Sequence, residues 1–331
     1  MYQPETYGIA LFFMLGSMLC WGSWANTMKL TPGFPFQLFY WDYVAGLVLG
    51  SIAWGLTLGS YGSSTPSFLQ SLSQADALHI SFAVLGGVVF NVANLLLVAA
   101  IEIAGLAVAF PVGIGLALVI GVLLNYFLAP QGNPLLLFGG LIFVVLAIVV
   151  DAMAYQRREL VRKAVGKKGV QISLVAGVLM GLFYPFVAKA GSGSSSLSPY
   201  SVTFCFALGV LICAIPSNLY LMRKPLTGER AIAMENYVAA RPMFHVWGNV
   251  GGFIWCTGAM LSFVASNAHL VGPAVSYAIG QGATLISAIW GVFVWKEFSD
   301  APADARRLLP LMFLFFIVGL TAIAVAPLFG R

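Results

Sequence analysis

Long apolar runs, each about the length of a bilayer crossing, alternate with short polar connections along this chain. They fall at Tyr7–Leu30, Phe36–Leu58, Ile80–Ile101, Gly105–Leu128 and Pro134–Ala154, then at Gln171–Ala190, Tyr200–Leu221, Met243–Ala265, Gly272–Trp295 and Leu308–Leu328. A helix needs about 20 apolar residues to span the hydrocarbon core. Within each run the apolar residues fill every face instead of alternating, which excludes a tilted β-barrel. The pattern predicts an all-α polytopic membrane protein of ten transmembrane helices.

Composition supports that class and removes its rivals. The chain has 331 residues, of which 60% are hydrophobic and 8% charged. Soluble domains carry about 25% charged residues. A soluble enzyme, a disordered chain and a nucleic-acid reader are therefore excluded. Cys20, Cys205, Cys213 and Cys256 all lie inside apolar runs. They read as small buried hydrophobes, with no disulfide framework, metal site or cofactor expected. The first run is too long for a signal-peptide core and is expected to remain as the first helix.

Charge placement sets an orientation. Lys29, Arg157, Arg158, Arg162, Lys163, Lys167, Lys168, Arg223, Lys224, Arg230, Arg241, Lys296, Arg306 and Arg307 follow odd-numbered helices, and only Lys189 and Arg331 lie on the other side. Cytoplasmic loops concentrate Lys and Arg. The odd-numbered connections are thus expected in the cytoplasm and both termini outside it, in a multi-pass protein of the plasma (inner) membrane. The basic stretch 156–170 is expected to link a first five-helix repeat, 1–155, to a second, 171–331.

Five helices per half make the halves enter the membrane from opposite sides, so related halves form an inverted repeat. Gly105-Leu-Ala-Val-Ala-Phe-Pro-Val-Gly-Ile-Gly115 lines up with Gly272-Pro-Ala-Val-Ser-Tyr-Ala-Ile-Gly-Gln-Gly282, and Gly86-Gly87 with Gly251-Gly252. Helix 1 ends in Lys29 and helix 6 in Lys189. Single Gly motifs serve close helix packing; their recurrence in matched helices points to an inverted-repeat transporter with its substrate near the midplane.

Few side chains can carry chemistry there. A charged carboxylate is costly in hydrocarbon, so Asp42, inside helix 2, is the first candidate to take up and release a proton, with Glu102 second. Asp151 and the histidines, including His245, read as interfacial, and Lys29 and Lys189 as snorkelling. Asn91, Asn94, Asn249 and Gln281 can satisfy the donors and acceptors of a neutral heterocycle. Trp21, Trp24, Tyr184, Trp255 and Tyr277 supply flat walls. Motifs for a metalloprotease, a serine hydrolase or a complete P-loop are missing from the sequence, and no enzymatic activity is expected.

Several segments resemble the ureide permease family: Trp21-Gly-Ser-Trp24, Leu38-Phe-Tyr-Trp-Asp42-Tyr43, Leu56-Thr-Leu-Gly59 with Ser71-Leu-Ser-Gln74, Gly86-Gly87 with Asn94, Val119-Ile-Gly with Leu124-Asn-Tyr-Phe-Leu128, and Ser287-Ala-Ile-Trp-Gly-Val-Phe with Glu297. The chain also looks related to bacterial glucose and rhamnose permeases of the same drug/metabolite transporter superfamily. The resemblance implies ten helices in inverted five-helix repeats and proton-coupled uptake of allantoin, uracil or related nucleobase compounds. Asp42 matches the family's Asp-Tyr pair and Asn94 its Gly-Asn stretch. Plant members carry a long central loop with a Walker-A-like stretch, which Ala164-Val-Gly-Lys167-Lys-Gly169 does not reproduce, and Glu102 also departs from the pattern. The expected partners are a small-molecule substrate, protons as coupling ion and the lipid bilayer, in a monomer or homodimer without nucleic acid. A sugar permease, an exporter of the same superfamily, and an intramembrane enzyme or receptor are the alternatives.

Overall fold

The computed structural model describes residues 1–61, 66–104, 109–158, 167–225, 231–268 and 270–329, without the side chains of Glu102 and Phe110. Among these residues there is no strand. Nine helices are long and apolar enough to cross a membrane: α1 (Tyr7–Lys29), α3 (Ala77–Ile101), α4 (Pro111–Leu128), α5 (Pro134–Arg158), α6 (Lys167–Ala190), α7 (Pro199–Arg223), α8 (Pro242–Asn267), α9 (Pro273–Val294) and α10 (Ala303–Leu328). The remaining long helix, α2 (Phe36–Leu56), carries Tyr40, Trp41, Asp42 and Tyr43 near its start. It falls outside the apolar set because Gln37, Tyr40, Trp41, Asp42 and Tyr43 lower its hydropathy, which its packing against α7 and α8 accommodates.

Local signals set the ends. Thr6 caps α1 by accepting from the Ile9 amide. Ser198 caps α7, with Pro199 in the first turn, where a missing N–H leaves nothing unpaired. Gly272 takes φ 79° before Pro273 opens α9, a conformation that favours glycine. The Asp76 carboxylate caps α3 through the His79 amide at 2.8 Å, while His79 Nε2 reaches the Ser192 carbonyl at 2.9 Å.

Backbone contacts assign the connections to two ends. At one end Tyr2 bonds to Leu58, Asp76 to Ser195, Leu197 to Ala190 and Asn133 to Ala326. The N-terminus, the last turn of α10 and the even-numbered connections therefore lie together. Lys189 is at this end. The other end holds Lys29, Arg157, Arg158, Lys167, Lys168, Arg223, Lys224, Arg241, Lys296, Arg306 and Arg307. Arg162, Lys163, Arg230 and Arg331 lie outside the described residues. We call the two ends outer and basic.

Helix packing repeats with a step of five. α3 packs on α6 and α7, and α8 packs on α1 and α2. α4 lies against α6 as α9 lies against α1, while α2–α7, α4–α9 and α5–α10 pair across the middle. Close approaches repeat too. A Cβ at Gly252 would strike the Tyr43 carbonyl, and one at Gly46 the Asn249 carbonyl, so α2 and α8 touch backbone to backbone. In the same way Gly87 meets the Phe206 carbonyl and Gly209 the Val84 carbonyl, joining α3 to α7. Gly140 and Gly319 face each other's carbonyls where α5 crosses α10. Part of the aligned glycine stretch, residues 105–108, lies outside the described residues.

The outside and the inside differ as a membrane demands. Phe12, Leu135, Ile142 and Ile317 are exposed, while Asp42, Asn91, Asn94, Ser262, Ser276 and Gln281 are buried.

Candidate functional site

An aromatic column runs through the middle of the bundle. Tyr184 and Tyr277 are 5.1 Å apart by ring centroids, Phe183 lies 5.8 Å from Tyr184 and 5.5 Å from Phe90, and Phe90 lies 4.3 Å from Trp255. Trp255 stacks on Trp21 at 5.7 Å, and the Trp21 indole donates to the Trp255 carbonyl at 3.2 Å. Trp24 packs on Tyr43 at 4.8 Å. Five aromatic residues named from the sequence thus meet in or beside the column.

Above the column, toward the outer end, hydroxyls cluster. Tyr184 is 2.9 Å from Ser262 Oγ, Ser276 donates to the Ser262 carbonyl at 2.9 Å, and Tyr277 donates to the Ala117 carbonyl at 3.1 Å. Beyond them opens a cleft of about 640 Å³, lined by Gln3, Gln131, Lys189, Phe263, Ser266 and Asn267 among others. It reaches the surface at the outer end.

Below the column a second polar group lies toward the basic end. Tyr40, fully buried on α2, donates to Asn91 Oδ1 at 2.8 Å and accepts from Asn94 Nδ2 at 3.4 Å. Asn91 Nδ2 in turn donates to Ser217 Oγ at 3.1 Å. Gln281 is buried, and while its backbone carbonyl accepts from Thr284 Oγ1 at 3.1 Å, its side-chain amide makes no hydrogen bond to a described residue. A buried amide without partners retains its full capacity to bond a ligand.

Asp42 sits apart from this group, against α8. Its Oδ2 is 2.8 Å from His245 Nδ1, and its Oδ1 accepts from Tyr237 at 2.7 Å and from Asn249 Nδ2 at 3.4 Å. His245 and Asn249 share a helix face, being four residues apart. Gly248 between them lets α8 approach so closely that a Cβ there would overlap Asp42 Cβ. Asn249 therefore contacts the carboxylate, not the aromatic column. Glu102 lies outside the described side chains.

The basic end is tied by one carboxylate. Glu297, just past α9, accepts from Lys29 at 2.6 Å, from Tyr155 at 2.8 Å and from Arg158 at 3.3 Å. Lys29 also lies over the Trp295 ring, 4.6 Å from its centroid. Burial would raise the Glu297 carboxyl, but bonds from Lys29 and Tyr155 and the charges of Lys29 and Arg158 outweigh it and hold it below its ordinary range. Lys29 is thus anchored in an ion pair rather than snorkelling freely.

Sequence reasoning missed the bridging role of Tyr40 and the partners of Asp42. The spacing of His245 and Asn249 was a signal, but which helix they face is a tertiary fact. No group of three or more metal-ligating side chains occurs among the described residues.

A model of the ureide permease family matches residues 39–168 and 156–326. The chain is 25% identical to "Ureide permease 1" of Arabidopsis thaliana over 386 aligned residues, covering 98% of each chain. It is 24% identical to "Ureide permease 4" of the same plant, covering 96% of each. With "Probable ureide permease A3" of Vigna unguiculata it shares 22% identity over 89% of this chain and 96% of that one. A crystal structure of a protein 16% identical superposes with a TM-score of 0.61, covering 94% of this chain and 96% of its own. At that identity it shows the fold alone.

Proposed function

The chain belongs to the ureide permease family, whose members are transporters and not enzymes, and from that premise we propose that it imports small neutral heterocycles. Allantoin and related ureides come first, uracil second. Uptake is coupled to protons and proceeds by alternating access between two five-helix halves, residues 1–155 and 171–331. The observation that carries this reading is the amide and hydroxyl chain Asn94–Tyr40–Asn91–Ser217, buried up to its Ser217 end, beside an aromatic column. A ureide presents alternating N–H and C=O groups on a flat frame, and amides with aromatic walls match both features.

The two ends support an outward-open shape. The cleft opens at the outer end, while Glu297 ties α1, α5 and the α9–α10 connection at the basic end. Substrate entering from the cleft meets the column at Tyr184 and Tyr277. Inward opening then requires the Glu297 contacts to part and the aromatic rings to separate. The basic end faces the cytoplasm, as the placement of Lys and Arg favours.

Asp42 is the proton carrier in this scheme. Its carboxyl bridges α2 of the first half and His245 and Asn249 of α8 in the second. Gaining or losing a proton there changes how firmly the halves hold together. The test is uptake of labelled allantoin by proteoliposomes under an imposed pH gradient. Gradient-driven uptake should be lost in Asp42→Asn while exchange of internal for external allantoin continues. Uptake indifferent to the gradient, or unaltered by that substitution, overturns the coupling role.

A further inference from the structure

Asp151 lies near the basic end of α5, where an apolar run is ending and the sequence suggests an interfacial place, yet it is only 4% exposed. It stands two turns before Arg158, about 10 Å inside the helix end. Its Oδ1 is enclosed without a hydrogen-bond partner, and no described group donates to the carboxyl or pairs with it. Tyr155 and Arg158, one and two turns further along the same face, turn to Glu297 instead, at 2.8 and 3.3 Å. The Arg158 guanidinium is held over the Tyr155 and Phe298 rings, 5.6 Å from each centroid.

The elements around α5 add no compensating charge. α4 and residues 110–114 pack against it and carry no charged residue; Tyr126 of α4 packs on Phe138, toward the other end of α5. α10 brings Asp304, Arg306 and Arg307 in its first turn, where Asp304 approaches Arg157 to 3.9 Å and neither arginine pairs with Asp151. Glu297, from the α9–α10 connection, is the one described charge that acts on Asp151, and it has the same sign. A buried carboxylate without donors or cations is unstable, and two neighbouring carboxylates do not both ionise. Glu297 has two cations and a hydroxyl, so Asp151 is the one to hold a proton.

We propose that Asp151 is a second proton-binding site, open only toward the basic end and separate from Asp42, whose occupancy controls opening of that end. While Glu297 is tied to Lys29, Tyr155 and Arg158, Asp151 keeps its proton. When those contacts part, Glu297 moves off and water reaches the carboxyl. The Asp151 O–H bond then breaks, and the proton passes to water on the basic side. The carboxylate left behind draws Tyr155 and Arg158, on its own helix, away from Glu297. Closing returns the proton from the same side, so this site moves no net charge across the membrane. By linkage, alkaline solution at the basic end favours opening and acid solution holds it shut. The inference rests on the proposed function for alternate opening of the two ends, and not for the substrate.

Two measurements on the purified protein test it. The infrared difference between the unaltered protein and Asp151→Asn at neutral pH should contain the carbonyl stretch of a protonated carboxyl. Hydrogen exchange should be followed at the Trp295 and Glu297 amides, which bond to the Trp290 and Gly291 carbonyls at the basic end. Corrected for the intrinsic chemical rate, their exchange should quicken by up to about tenfold per pH unit as one proton is released. In Asp151→Asn it should stay slow at every pH, while Asp151→Glu should restore the dependence and Asp42→Asn should keep it. An infrared difference without that band, exchange in the unaltered protein that ignores pH, or exchange in Asp151→Asn that follows pH as before overturns the proposal. Both expected results without allantoin uptake leave the Asp151 assignment standing and sink the permease reading; uptake with neither result does the reverse.

Discussion

Tyr40 places one hydroxyl between two amides, and the residue scale is where its importance can be measured. In Tyr40→Phe, Asn91 Oδ1 loses its 2.8 Å donor and Asn94 its acceptor. A buried polar group left unpaired costs about 1–3 kcal/mol. The variant should melt earlier in detergent by a corresponding amount, and allantoin KM should rise at least severalfold if the amides touch substrate; an unchanged KM limits Tyr40 to structure. Glu297 makes a second residue-scale prediction, in pH. Its folded carboxyl is held below the ordinary range, with burial opposed by Lys29, Tyr155 and Arg158. The stability it contributes is thus present above the unfolded value, near 4.3 for glutamate, and is lost as pH falls through the lower folded one. Melting temperature followed against pH should show a shallower acid limb in Glu297→Gln than in the unaltered protein. The sequence revealed the acids and amides as outliers in apolar runs, yet gave His245 an interfacial place and left Tyr237 unnamed. Their bonds to Asp42 join residues about 200 positions apart, a separation that no local pattern encodes.

At the scale of elements, pairs of glycines decide how closely helices approach. Gly46 and Gly252 let α2 and α8 touch, as Gly87 and Gly209 do for α3 and α7. Adding a methyl group against a backbone carbonyl leaves only separation of the helices as relief, and overpacking of this kind costs about 1–3 kcal/mol or more. Gly46→Ala and Gly209→Ala should therefore destabilise to similar degrees in thermal unfolding. Gly8→Ala, where a Cβ meets nothing within 4 Å, should be neutral or slightly stabilising. A large difference between the first two would mean that the matched contacts do not bear equivalent loads. The helices themselves were legible as apolar runs. Helix α2 shows the limit of that signal, because its early Tyr-Trp-Asp-Tyr stretch is buried against protein and need not be apolar.

For the whole molecule, the separation of charge between ends gives an orientation that can be probed directly. Ser192 lies at the outer end and Ser299 at the basic end. In intact cells, an impermeant thiol reagent should label Ser192→Cys and spare Ser299→Cys; the reverse pattern would invert the proposed topology. Excess allantoin should slow labelling at positions inside the cleft if it enters by that route. The contact pattern that repeats with a step of five gives each end a counterpart, and the two ends differ mainly in polar detail. Asp42 with His245 holds α2 to α8, whereas the matching approach of α3 to α7 has Cys205 and Ile80 in the corresponding registers. That difference singles out the Asp42 contact as more than packing.

The sequence by itself determined the class, the helices, the distribution of charge and the internal recurrence of glycines. These follow from the hydrocarbon solvent, which requires backbone bonds within each segment and penalises charge wherever lipid is the neighbour. Only the tertiary structure decided which polar groups meet. It placed Tyr40 with Asn91 and Asn94, Asp42 with His245 and Asn249, Lys29 with Glu297, and Lys189 in an open cleft. The reason is physical: interior partners are selected by helix rotation and by the approach that glycine pairs permit, and neither is written in the apolar pattern of a single span.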